Sequence, residues 1–422
     1  KKEMIDIERA IPKRVADSWN VDERTSGAQN IPVKVTIEIF IVSDYLHFSH
    51  FRSNTELITY LCIQINSVNM RYADTSSPRV QFLLTGVERD QFSTYRNGTD
   101  QLMESSSSLD EFAKYADSRR YEYNYPDMVY LMTGFNIYSH SDDGTKSMNV
   151  LGIGFVGGLC TKFFVALGED VAGTYSGMHT LTHEGGHVLG ASHDESSPKS
   201  WIEGDPGSLS CPWKDGHIMS YVDGGVKHHR FSDCSLRQIR NLVTLRGEIC
   251  WKVGITVTGY TRWGRFPGME VAPNEYCKSV FPDKENVTAD MNSDRMKHCM
   301  IKCQYPEYQR YCGSYSRCVT YLTNRYLYKH ALDYMYCGED KVCIRGVCGR
   351  TKDDVTRNPQ RPTRTPIIYE STQTPTTTTS AEARTTECRC DCNPTVTTTR
   401  PTYGPRASTP ATRRRWYWPG GR

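Results

Sequence analysis

The sequence predicts an α/β domain over residues 30–255, a disulfide-rich small domain over 271–350 and a disordered tail over 351–422. Three observations carry this division. Before residue 255, apolar residues switch between a period of two and a helical period. Eight of the 16 cysteines crowd between Cys277 and Cys348. Beyond Thr351 the chain is a Thr/Pro/Arg tract, with runs at Thr376-Thr377-Thr378-Thr379 and Thr397-Thr398-Thr399. Such a composition cannot bury enough apolar surface to fold, and in secreted proteins it often carries O-linked sugars.

Residues 1–29 are polar and hold a dibasic Lys13-Arg14, which reads as the remains of a cleaved pro-segment. Val33, Val35, Ile37, Ile39 and Ile41 then alternate with Lys34, Thr36 and Glu38, predicting a strand with one face in a core. Ile58, Cys62 and Ile65, with Leu57, Leu61 and Val68, recur at helical spacing. Val80 to Leu84 returns to strand character, Leu109 to Ala116 reads as helix and Met128 to Met132 as strand. Strands alternating with helices predict a sheet with crossover helices. The 271–350 region is rich in tyrosine and cysteine and lacks periodicity, so its bridges must supply the order that a large core cannot.

The net charge of +3 is unevenly spread. From Thr351 onward there are 12 Lys/Arg against 6 Asp/Glu, and before it 39 against 42. That balance argues against a nucleic-acid-binding core. Any polyanion affinity belongs to the tail, where Arg413-Arg414-Arg415-Trp416-Tyr417-Trp418 is a candidate contact for sulfated glycans or a membrane surface. A solvated tail is the plainer reading. No run approaches the roughly 18 apolar residues that span a bilayer. The opening Lys1-Lys2 and the lack of a signal core read as a processed fragment whose targeting segment, if any, is already gone.

Dense cysteine means disulfides in an oxidising compartment or zinc knuckles in a reducing one, and the absence of paired CxxC spacing favours disulfides. The triplets Asn97-Gly98-Thr99 and Asn286-Val287-Thr288 are candidate N-glycosylation sites, in keeping with secretion.

One stretch carries the chemistry: His183-Glu184-Gly185-Gly186-His187-Val188-Leu189-Gly190-Ala191-Ser192-His193-Asp194. Four helical residues advance about 400°, which leaves His183 and His187 about 40° apart and about 6 Å along one face. Both imidazoles can reach one metal ion, and Glu184 can lean toward a water there without being a ligand. Gly190 permits the sharp turn at which a helix ends, returning His193 as a third nitrogen. Three histidines leave one position of a tetrahedral Zn²⁺ open, as in catalytic sites. His179, four residues before His183, has no acidic partner in register and reads as a packing or surface residue.

HExxHxxGxxH followed by His217-Ile218-Met219-Ser220-Tyr221 resembles the metzincin clan of zinc endopeptidases. Asp194 is similar to the reprolysin branch, the snake-venom and ADAM/ADAM-TS-like enzymes. Gly152-Ile153-Gly154-Phe155-Val156-Gly157-Gly158-Leu159-Cys160 is similar to the reprolysin edge strand on which peptide substrates lie, with Gly157, Gly158 and Leu159 as the candidate contacts. The resemblance covers residues 30–255, and the whole chain is similar to secreted salivary metalloproteases of ticks. Two positions depart from the pattern. Gly185 stands where most reprolysins carry Leu, Ile or Met, which is expected to loosen the helix. Tyr221 stands where many carry proline.

The resemblance implies a metzincin-type mixed sheet, one zinc per chain on His183, His187 and His193, and Glu184 as general base. It implies Met219 as an apolar floor and, by analogy alone, bound calcium. It also implies bridges Cys160–Cys250 and Cys211–Cys234. That leaves Cys62, on an apolar helix stripe, as a buried thiol. Tyr221 is a candidate donor to the oxyanion or a wall of the cleft. The expected partners are extracellular matrix or plasma proteins. Two other readings stay open: a binding protein or inhibitor built on the same scaffold, and a chain whose Cys-rich region is primarily adhesive. Both Glu184 and the histidines are retained, which favours the enzyme.

Overall fold

The computed structural model describes residues 8–11, 31–141, 143–247, 250, 264–312 and 318–349. Lys13-Arg14, the tail with Cys388, Cys390 and Cys392, and the basic cluster at Arg413 lie outside the described residues. The elements of the first region, in chain order, are β1 (Lys34–Asp44), α1 (Asn54–Tyr72), β2 (Arg79–Asp90), β3 (Leu102–Glu104), α2 (Ser105–Ser118) and β4 (Met128–Thr133). There follow β5 (Asn136–His140), β6 (Lys146–Ser147), β7 (Gly152–Gly154), β8 (Val165–Glu169), α3 (Met178–Val188) and α4 (Asp233–Arg246).

The alternation in β1 places Val35, Ile37, Ile39 and Ile41 in one core layer, each at most 1% exposed. Val33 is not part of this strand; it is 89% exposed and the ladder begins at Lys34. The main sheet runs β2-β1-β4-β8-β7, parallel throughout except that β7 pairs antiparallel with β8. β4 is buried along its whole length. Its pleat sends Met128, Tyr130 and Met132 into the layer under α1 and α3, and Val129 and Leu131 into the layer under α2. Burial on both faces is the expected state of a strand covered by crossover helices. Each such side chain contributes about 1.5–3 kcal/mol of transfer free energy.

Local signals set the helix starts. Ser53 caps α1 by accepting from the Glu56 N–H at 3.2 Å, and Glu104 accepts from the Ser107 N–H at 2.7 Å ahead of α2. α1 then buries Leu57, Leu61 and Val68 on the sheet.

The second region comprises α5 (Pro273–Val280), β9 (Thr288–Asp290), β10 (Met300–Cys312), β11 (Cys318–His330), β12 (Tyr336–Gly338), β13 (Lys341–Ile344) and β14 (Val347–Gly349). β10 and β11 form a long antiparallel hairpin extended by β9. Bridges Cys277–Cys303, Cys299–Cys343, Cys312–Cys318 and Cys337–Cys348 staple this region. In the first region Cys160 bridges Cys250 and Cys211 bridges Cys234, while Cys62 is buried and forms no disulfide. Asn97 and Asn286 are both exposed. Among the described residues no helix is long and apolar enough to cross a membrane.

Candidate metal centre

His183 and His187 project from α3, and His193 returns from the loop after it. Gly190 makes the return with φ +91°, a backbone conformation that costs glycine little. The ring centroids lie 4.8 Å apart for His183–His187, 4.8 Å for His187–His193 and 5.4 Å for His183–His193. The rings are mutually inclined, by 85°, 71° and 42°, as convergence on one point requires. Backbone carbonyls fix the tautomers. His183 Nδ1 lies 2.6 Å from the Ile218 oxygen and His187 Nδ1 2.7 Å from that of Ala191. With protons on Nδ1, the lone pairs sit on Nε2. His187 Nε2 and His193 Nε2 are 3.2 Å apart, close to the roughly 3.3 Å between nitrogens that each lie about 2.0–2.1 Å from a tetrahedral zinc. The donor set fits Zn²⁺.

Glu184 is buried against the edge strand β7. A Cβ on Gly152 would meet Glu184 Oε1, and one on Gly154 would lie 3.3 Å from Glu184 Oε2. Glycine at both positions therefore makes room for the carboxylate. Met219 is fully buried beneath α3, its sulfur 3.0 Å from where a Gly186 Cβ would sit, and its carbonyl accepts from the Asp194 N–H at 2.9 Å. Asp194 accepts from the Ser232 hydroxyl at 2.5 Å, tying the end of the motif to the cap of α4. Burial pushes the Asp194 carboxyl up to about 6, against the pull of Ser232 and Ser235. The Tyr221 hydroxyl is 3.4 Å from His193 Nε2, with its ring edge-on to Trp213 at 4.7 Å.

Gly157, Gly158 and Leu159 require a correction. β7 ends at Gly154, and these three residues lie in the turn beyond it. Gly157 N–H donates to the His187 carbonyl at 2.8 Å, Leu159 N–H to Val188 at 3.1 Å and Gly158 N–H to Phe155 at 3.2 Å. Two of these bonds satisfy terminal carbonyls of α3, so these amides serve the helix end rather than a peptide.

The expected looseness at Gly185 is offset from outside the motif. A Cβ there would approach the Tyr72 hydroxyl to 3.1 Å, and that hydroxyl donates to the Thr182 carbonyl at 2.9 Å. Tyr72 fills the space and grips the helix. A second set that sequence reasoning missed sits at the start of α3. Asp170 accepts from the Gly177 N–H at 2.6 Å, from the Tyr60 hydroxyl at 2.6 Å and lies 2.9 Å from His47 Nε2, whose Nδ1 is 2.7 Å from the Ser43 hydroxyl. Burial works to raise the Asp170 carboxyl, but the bonds from His47 and Tyr60 outweigh it and hold it below the usual range. Ser43, His47 and Asp170 have the residue types of a nucleophilic triad, yet all three are sealed from solvent. Their role is to position α3. Nothing local marks Asp170, because His47 and Tyr60 lie 123 and 110 positions away.

Three other groups of candidate ligands occur among the described residues. Cys299, Cys337 and Cys343 are consumed by disulfides, as are Cys160 and Cys250 beside Asp127. Asp223, His228 and His330 remain, but the two rings stack nearly parallel (11°) instead of converging. His179 stacks on His228 at 4.0 Å and is not part of the three-histidine group.

Residues 33–232 match the reprolysin-type profile of metallo-peptidase family M12. The chain is 27% identical over 359 residues to a Bombyx mori protein described as "A disintegrin and metalloproteinase with thrombospondin motifs like", covering 80% of this chain and 47% of that one. It is 27% identical over 230 residues to the Tityus serrulatus venom metalloproteinase antarease-like TserMP_B, covering 51% of this chain and 96% of that protein. Antarease TserMP_A of the same scorpion is also 27% identical over 230 residues, covering 51% and 57%. The chain thus spans about half the length of the Bombyx mori protein.

Proposed function

We propose that the chain, whose residues 33–232 match the reprolysin-type profile of metallo-peptidase family M12, is a secreted zinc endopeptidase acting on extracellular matrix or plasma proteins. The observation that carries the reading is the convergence of His183, His187 and His193 beside a buried carboxylate on the next helical position. Peptidases of this family are zinc-dependent, and the donor set present suits that ion. When bound, zinc supplies a Lewis acid that activates water and polarises the scissile carbonyl.

The chain's own groups do the rest. Glu184 takes the proton of the attacking water and delivers it to the leaving amine. Gly152 and Gly154 let that carboxylate stand against the edge strand. Tyr221, beside His193, donates its hydroxyl to the developing oxyanion. Met219 holds the floor under α3, while Asp170 and Tyr72 fix the helix from its start and its flank. The six disulfides among the described residues and the exposed Asn97 and Asn286 support an oxidising, secretory setting.

The test is digestion of a panel of matrix and plasma proteins, with and without a chelator, by wild type and Glu184→Ala. Cleavage by wild type alone, abolished by the chelator and restored by zinc, is the expected result. Equal cleavage by the Glu184→Ala protein would refute the mechanism. Zinc bound without cleavage of any protein would favour the scaffold reading.

A further inference from the structure

Two of the three histidines have their outer nitrogens fixed by carbonyls of the catalytic region, at Ile218 and Ala191. The third does not. The oxygen facing His193 Nδ1 is Glu8 Oε1, at 3.5 Å, and the same oxygen accepts from the His193 backbone N–H. The second oxygen of Glu8 pairs with the Lys199 ammonium. Glu8 lies in the polar N-terminal segment, 185 residues before His193, where the sequence suggested only a discarded remnant.

The segment is seated in a specific way. Arg9 forms a parallel β-bridge with Phe155 just past the end of β7, and the Val156 N–H donates to the Arg9 carbonyl at 3.0 Å. The pleat then sorts its side chains. Glu8 turns to the histidine face. Arg9 and Ile11 turn to the other, where Arg9 meets Asp110 at 2.5 Å and Ile11, 3% exposed, joins the core layer under α2. Trp201 steadies the same edge by donating to the Val156 carbonyl at 3.0 Å. A charge pair on each face and one buried apolar anchor fix where Glu8 falls.

We propose that Glu8 is a positioning residue for the metal centre: its carboxylate orients His193 and favours the Nδ1-protonated tautomer that ligates through Nε2, and residues 8–11, bridged to Phe155 through Arg9, are the segment that delivers it. The inference rests on the three-histidine reading above. It makes residues 8–11 a working part of the site, so that their release would loosen the third ligand while leaving the other two in place. A carboxylate behind a ligating imidazole raises its basicity as well as fixing its ring, and loss of such a partner typically costs about 10–100-fold in metal affinity.

The experiment uses the full chain. Zinc affinity is measured by competition with a chromophoric chelator for wild type, Glu8→Ala, Glu8→Gln and His187→Ala. Glu8→Ala should bind zinc about 10–100-fold more weakly. Glu8→Gln keeps an acceptor and the seating of residues 8–11 but not the charge, and should lose less. In the cobalt-substituted protein, proton NMR should show exchangeable Nδ1–H signals from all three ligands. Glu8→Ala should speed solvent exchange of one and leave the two bonded to Ile218 and Ala191 unchanged, a selective effect that general destabilisation would not give. Wild-type zinc affinity in Glu8→Ala, or three equally slow ring protons, would overturn the proposal. A wild-type chain that binds no zinc, or a His187→Ala chain that binds it as well as wild type, would instead overturn the three-histidine reading itself.

Discussion

Residues 34–250 are built around two apolar layers on one sheet and carry two disulfides, whereas residues 264–349 carry four disulfides on three-stranded ribbons. The long hairpin of the second region leaves Tyr308 75%, Tyr311 68% and Tyr326 58% exposed. Its few buried side chains, Ile301, Leu332 and Met335 among them, do not form a core of their own but join the layer beneath α1. Polar contacts follow the same course. Arg71, buried in α1, pairs with Asp333; Arg345 pairs with Asp74; Met70 packs with Ile344. Bridges therefore hold the second region's shape, while the first region supplies its interior. The buried joint between them braces α1, the helix whose Tyr72 grips α3.

The comparison can be broken at several points. The largest effect should come from Glu184→Gln, which should lower kcat about 10²–10⁴-fold with zinc retained, measured on a short fluorogenic peptide and by elemental analysis. Asp333→Ala leaves the buried Arg71 guanidinium without its carboxylate and should cost about 3–5 kcal/mol in denaturant unfolding, with zinc content unchanged. A loss under about 1 kcal/mol would mean that the two regions are energetically separate. Replacing both Cys337 and Cys348 by alanine opens a loop of 11-residue separation and should cost about 2–3 kcal/mol, the melting of β12–β14 being read by hydrogen exchange. β1 and β4 should keep their protection in that variant.

The smallest effect is set by acidity at the joint. His179, His228 and His330 stack in a ladder from α3 to β11, with Asp223 and Arg71 facing it. Burial first, and then the charge on His330, push the His228 imidazole down to about 3. The unfolded chain takes up that proton below about pH 6.5 and the folded chain does not until about pH 3. Stability from this group is thus complete above pH 6.5 and is lost as pH falls, by up to about 1.4 kcal/mol per unit. Thermal unfolding at pH 7 and pH 5 should show the slope, and His228→Phe should reduce it, the remainder being carried by His179 and His229, which burial also holds well below the usual range.

Much of the first region was legible because burial there is periodic. The alternation from Val35 to Ile41 and the apolar spacing from Leu57 to Val68 report directly which face meets a core. The histidine motif was legible because its geometry is contained in 11 residues. What escaped is polar and remote. Arg71, Asp170 and Glu8 belong to residue types that are ordinarily solvated, and only partners 262, 123 and 185 positions away bring them inside. The misplaced edge contacts at Gly157 to Leu159 have the same origin, since a glycine run does not say whether its amides serve a sheet, a helix end or a substrate.

The two glycines of the edge strand bear on how such chains should be compared. Gly152 and Gly154 leave no room for a side chain because Glu184 occupies it, and Thr180 Cγ2 would stand 2.6 Å from a Cβ on Gly152. A single methyl group at residue 152 would displace the Glu184 carboxylate while His183, His187 and His193 stayed intact. On the mechanism proposed above, catalysis would therefore be extinguished by a change 31 positions upstream of the histidine motif, invisible to anyone inspecting the motif alone. Paralogues that had exchanged hydrolysis for capture would carry their signature in this strand, under an unaltered HExxH.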